Sequence, residues 1–157
     1  MAHAALPCVR RHGPVAPLAL RSWAARLAAG KRTEAELDLI RDYLEAMEHY
    51  LERGQIRAEV DFLFHAEIAA ATHNRILLHL MQSIHELVNY SVKVHREQVF
   101  VNREDQETLF AHHLSVFKAI QNQDPEAAEA AMKEHLKYVI SEYKRRFLPN
   151  NARGQRD

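Results

Sequence analysis

Apolar positions recur along most of this chain at the i, i+3, i+4, i+7 spacing of helices that bury one face. In VDFLFHAEIAAATHN, Asp61, Phe64, His65 and Ile68 fall on one stripe. In TLFAHHLSVFKAI the stripe is Leu109, His113, Val116, Phe117 and Ile120, and in AEAAMKEHLKYVI it is Ala128, Met132, His135 and Val139. Punctuation between these runs predicts six helices. A short one over about 19–29 stops at Gly30. A capping box, Thr33 with Glu36, opens a second that reaches about Arg53 before Gly54. A third carries Asp61 and His65 and ends near His73 and Asn74. A fourth runs from about Arg75 to Gln98, with Leu77, Leu80, Ile84, Leu87 and Ser91 inward. After the polar run NREDQET a fifth covers about 105–121. Asp124 as N-cap and Pro125 at the first helical position start a sixth, which runs to about Arg146 with Pro149 beyond. No stretch alternates as a strand does. The fold class is therefore all-α, a compact antiparallel bundle of six to seven helices.

Three stripes contain a polar residue where a core residue belongs. Asp61, His65, His113 and His135 are all aimed inward, and a buried carboxylate is costly unless compensated. One carboxylate and three imidazoles converging in a bundle suit a divalent metal. Donor softness alone admits zinc, nickel, copper, iron or manganese; zinc stands first, with nickel and manganese as alternatives. The plain alternative for each histidine is a hydrogen-bonded core residue, and for Asp61 with His65 an i, i+4 salt bridge. His85 and His95 lie near the inner flank of the fourth helix and, with Asn89, are the candidate effector-pocket residues; a boundary position is their plain alternative. His49, His73, His79 and His112 read as surface or edge positions. No Glu-x-x-His pair, His-Glu-x-x-His motif or Gly-rich phosphate loop is present.

Length and charge narrow the function. The chain has 157 residues, 47% of them hydrophobic, with 4 Gly and 5 Pro, which fits one helical domain with a sizeable core. Residues 1–18 read as irregular, 19–147 as the domain and 148–157 as a polar tail. The formal charge is zero, but the first 33 residues hold six basic residues and no acid. The rest carries 15 basic against 21 acidic residues, which argues against a nucleic-acid-binding surface. The single cysteine, Cys8, excludes an internal disulfide and fits a reducing, cytoplasmic setting. No apolar run spans a bilayer, and Pro14 and Pro17 break the apolar stretches that a signal peptide would need.

Several short runs then resemble one family. Asp61-Phe62-Leu63-Phe64-His65 followed by Asn74-Arg75-Ile76-Leu77 is similar to the D-x-x-F-H … N-x-x-L signature of the FCD domain, the C-terminal effector-binding domain of FadR-type regulators in the GntR family of bacterial transcription factors. His113 to Ile120 resembles its H-x-x-[IVL]-x-x-A-I segment, Gln123 to Ala128 its G-D-x-x-A-A turn, and Ala131 to Leu136 its A-M-x-x-H-L segment. Ala24 to Ala29 resembles its first effector-domain helix. The resemblance spans about Arg21 to Arg146. It implies a divalent metal held by Asp61, His65, His113 and His135, which helps bind a small carboxylate effector and so changes a homodimer's affinity for operator DNA. The wording of residues 72–95 leans towards lactate, pyruvate or similar acids.

The chain also departs from that pattern. Arg21 stands where the family commonly has Glu. Only about 20 residues precede the matching region, so a winged helix-turn-helix is expected to be missing from the chain as given. Three functions compete: a metal-assisted sensor of small organic acids, with operator contact only through that missing module and no membrane partner; a metal-dependent hydrolase using metal-bound water; and a bare dimerisation bundle with incidental histidines. The enzyme lacks a further inward carboxylate to serve as acid or base, so no catalytic residue is assigned.

Overall fold

The computed structural model describes residues 15–83 and 99–147, and these are helical apart from short connections. Helix α1 spans Val15–Lys31, α2 Glu34–Glu52 and α3 Ala58–Ala70. Helix α4 is described over residues 75–83. Helices α5 and α6 span Arg103–Gln121 and Pro125–Phe147. There is no strand among the described residues, so the all-α class holds.

Local chemistry explains most boundaries. The Thr33 side chain accepts from the Glu36 backbone while Glu36 Oε2 accepts from the Thr33 N–H at 2.8 Å, closing the capping box of α2. The helix ends before Gly54, whose φ of 67° is the left-handed region that glycine enters without penalty. Asn74 Oδ1 accepts from the N–H groups of Ile76 and Leu77, both at 3.1 Å, and so caps α4. Asp124 Oδ1 accepts from Ala127 at 2.9 Å and opens α6 as predicted. Asn102 caps α5, whose first residue, Arg103, lies two residues upstream of the predicted start.

Three expectations need correcting. The first helix begins at Val15, so residues 15–18 are helical rather than irregular. It also runs through Gly30 to Lys31: a Cβ at this glycine would meet Pro125 at 4.0 Å, an ordinary contact, and Gly30 is not a left-handed stop. Leu80 points outward, 46% exposed, and Met81 takes the inner place at 6%. The predicted inward positions Ile84, Leu87 and Ser91, and the effector-pocket candidates His85, Asn89 and His95, lie outside the described residues.

The main core joins α1, α2, α3, α5 and α6 through Ala25, Ala28, Ile40, Phe64, Val116, Ile120 and Met132, all at most 1% exposed. Alanines on α1 let it lie close to α6, its most extensive neighbour. Arg26 on α1 pairs with Glu126 at 2.6 Å and Glu129 at 3.3 Å on α6. Arg32, buried beside the α1–α2 junction, donates from its Nη2 to the carbonyl of Gln121 at 2.9 Å and from its Nε to that of Ile120 at 3.5 Å. It therefore caps the end of α5, where carbonyls have no intrahelical partner. This brackets the segment that carries His113.

Candidate metal centre

Helices α3, α5 and α6 bring the four inward polar residues together. Asp61 and His65 are each 5% exposed, His113 and His135 each 1%. Apolar neighbours fix their registers: Phe64 and Ile68 on α3, Leu109, Val116 and Phe117 on α5, Met132 and Leu136 on α6 are all buried. Phe64 also sets two of the rings, meeting His65 edge-on at 5.5 Å and His113 at 5.2 Å between centroids.

The imidazoles of His65, His113 and His135 place one ring nitrogen each within 4.8 Å of the others. The His113 and His135 ring centroids are 4.3 Å apart, and those of His65 and His135 5.1 Å. Asp61 lies against two of the three rings, Oδ1 at 3.0 Å from His113 Nε2 and Oδ2 at 3.9 Å from His65 Nε2. A divalent ion fits this donor set. Two nitrogens on a tetrahedral zinc lie about 3.4 Å apart, so closure draws nitrogens within 4.8 Å of one another inward by on the order of an ångström. His113 Nδ1 faces the carbonyl of Leu109 at 2.9 Å. A carbonyl only accepts, so Nδ1 carries the proton and Nε2 turns to Asp61. There a lone pair facing a carboxylate needs a cation between them, either a proton or a metal.

His112 is half-buried, the edge position its spacing predicts, and its ring stacks on Tyr138 at 5.0 Å and lies 6.3 Å from that of His135. Burial, with the neighbouring His113, lowers its pKa below the ordinary histidine value. Its place behind the cluster depends on α6, and the sequence offered no signal for that. Arg21 lines a small cavity beside His65 with Phe62, Leu78, Met81 and Gln82. Its only sequence signal was its departure from the family pattern. His73 is a surface residue as expected, with Nε2 2.9 Å from Glu36 Oε1.

A helical bundle with a sealed cluster of imidazoles and one carboxylate defines a ligand-binding domain. The chain belongs to the FCD domain family, whose model matches residues 16–138. FCD domains are regulatory ligand-binding domains and not enzymes, which sets the hydrolase alternative aside. The HTH-type transcriptional regulator LutR of Bacillus subtilis is 34% identical over 116 residues, covering 73% of this chain and 53% of that protein. The putative L-lactate dehydrogenase operon regulatory protein of Escherichia coli is 33% identical, covering 67% of this chain and 40% of that protein. The chain thus spans about half the length of the curated relatives it matches or less. Among solved structures, E. coli McbR/YncC shares the fold, with a TM-score of 0.73 at 18% identity, covering 84% of this chain and 66% of that one. No described helix is long and apolar enough to cross a membrane.

Proposed function

We propose that this chain is the sensor domain of a GntR/FadR-like cytoplasmic transcription regulator, which binds a small organic acid at a divalent metal held by Asp61, His65, His113 and His135. The observation that carries this reading is the buried trio of imidazoles, with ring nitrogens within 4.8 Å of one another and Asp61 against two of them. Zinc is the first choice of ion, nickel or manganese the alternatives. The bound ion supplies a net positive charge in a low-dielectric core, where a carboxylate is strongly attracted. The protein's own contributions are to hold the imidazoles in one tautomer, as Leu109 does for His113, and to keep water out with Phe64. Lactate and pyruvate lead the effector candidates, a choice supported by the L-lactate dehydrogenase operon named for one relative. In this scheme the regulator is a homodimer, and operator DNA is contacted through a winged helix-turn-helix rather than through the bundle.

The test is thermal unfolding of metal-loaded and chelator-stripped protein against a panel of two- to six-carbon organic acids. Upward shifts confined to the loaded form are expected. Equal shifts in both forms, or none, would refute a metal-centred effector site.

A further inference from the structure

A cleft borders the cluster where Asp61 and His113 meet it. It lies between the end of α2, the 53–57 turn and the first turns of α5. Its inner chamber offers about 40 Å³ to water-sized spheres; Met47, Leu51, Val60 and Phe110 wall it, and Asp61 and His113 close its inner end. An outer chamber of about 350 Å³ lies between Gly54, Phe100 and Val101. Gln55, Ile56, Arg57 and Gln106 line both chambers.

Two polar groups at this junction are unmatched. Gln106 is 7% exposed, and its Nε2 donates to the Phe100 carbonyl at 3.0 Å. Its Oε1 is buried and accepts no hydrogen bond among the described residues. Buried side-chain oxygens of this kind are nearly always satisfied, so a donor is missing here. Arg57 is exposed, with its guanidinium over the Tyr50 ring at 5.3 Å from the centroid, and it makes no ion pair among the described residues. The cleft thus combines apolar walls, one unmet acceptor and one unmatched cation.

We propose that this cleft is a second small-molecule site, beside the metal ligands Asp61 and His113 but using neither to hold its ligand, for a short-chain organic acid with a hydroxyl beside its carboxylate. The carboxylate pairs with Arg57, the hydroxyl donates to Gln106 Oε1, and the alkyl chain fills the inner chamber. At roughly one water per 10–15 Å³, that chamber takes about three waters' worth of chain, so a tail of about four carbons suits it and a lone methyl leaves it underfilled.

The experiment titrates the metal-loaded, ¹⁵N-labelled full chain with 2-hydroxyhexanoate, hexanoate and lactate while following the Gln106 side-chain amide. 2-Hydroxyhexanoate should shift that signal saturably, and excess lactate should not displace it. Hexanoate should bind about fivefold more weakly, as loss of one hydrogen bond implies. Gln106→Leu should bring the hydroxy acid down to the level of hexanoate. Arg57→Gln, at an exposed position and free of the Phe100 bond, should weaken both acids about threefold or more, the scale of a lost exposed charge contact. Displacement by lactate, shifts confined to the cavity beside His65 and Arg21, or unchanged affinity in Arg57→Gln would each overturn the proposal. None of these outcomes depends on whether small acids bind at the metal.

Discussion

His113 Nδ1 donates to the carbonyl oxygen of Leu109, 2.9 Å away in the preceding turn of α5. One backbone acceptor thus fixes both the tautomer and the ring plane, and Nε2 is left directed at Asp61, 3.0 Å distant. Protein purified without chelator should hold close to one divalent ion per chain. His113→Ala should lose most of it, because one of four donors and the best oriented ring are removed together. Elemental analysis of the two proteins checks this; equal metal content would sink the assignment.

Metal should also stabilise the fold. An ion that binds only the native state at a free concentration about a thousandfold above its Kd adds about 4 kcal/mol. Chelation is therefore expected to lower the melting temperature. The gain should shrink as pH falls, because protons compete with the ion for the donor nitrogens. Melting curves with and without chelator at several pH values test this, and an effect of chelator that does not vary with pH would contradict it.

Phe64 is 0% exposed and touches two of the three rings. Phe64→Ala should cost about 3–5 kcal/mol through the cavity it leaves, and metal affinity should fall with it because the rings lose their wall. Phe64→Leu should lose less of both. Urea unfolding with parallel metal titration separates the two effects.

Arg32 tests the clamp on α5. Replacing it with Met keeps the stem but removes the donor to the Gln121 carbonyl, while the Ile120 carbonyl keeps the Gln123 N–H, at a cost of about 1–3 kcal/mol. A loss below about 0.5 kcal/mol, the range of ordinary surface substitutions, would show that water replaces the guanidinium freely.

Glu36 gives the acid limb of the stability profile. Burial pushes its pKa up, but hydrogen bonds from Thr33 and the contact with His73 outweigh burial together and leave it below the usual glutamate value. A lowered folded value means that this carboxylate's contribution is complete above the unfolded value, about 4.3, and fades as pH falls through the folded one. Glu36→Gln should therefore flatten the acid limb. Thr33→Ala should cost about 1 kcal/mol at neutral pH. Unfolding midpoints between pH 3 and 7 provide the measurement.

The burial of Asp61, His65, His113 and His135 was legible in the sequence because each sits among apolar residues of unambiguous period. Phe64 and Ile68 fix the register that buries Asp61 and His65, and Met132 with Leu136 do the same for His135. The caps at Thr33 and Asp124 were legible because their partners lie within three residues. The fourth helix was harder: Ile76, Leu77, Leu78, Leu80 and Met81 surround the helix axis, so period alone does not choose between Leu80 and Met81. Gly30 misled because a glycine tolerates a helix as well as ending one. Arg32 and Gln106 take their roles from residues 88 positions away and from the neighbouring loop respectively. Local spacing carries no trace of the first, and the second depends on how Phe100 folds back.

The alanine face of α1 has a dynamic consequence. Ala24, Ala25, Ala28 and Ala29 are at most 1% exposed, yet each contributes only a methyl group to the contact with its neighbours. An ion held by positions 61, 65, 113 and 135, as proposed, would tie α3, α5 and α6 together, and α1 contributes none of these residues. Sub-global opening should therefore begin with α1 separating from α6, which also breaks the pairs of Arg26 with Glu126 and Glu129. Amide hydrogen exchange in α1 should be faster than in α5 and should gain little protection from the ion. Among the described helices, α1 is thereby the one expected to move while the centre stays shut.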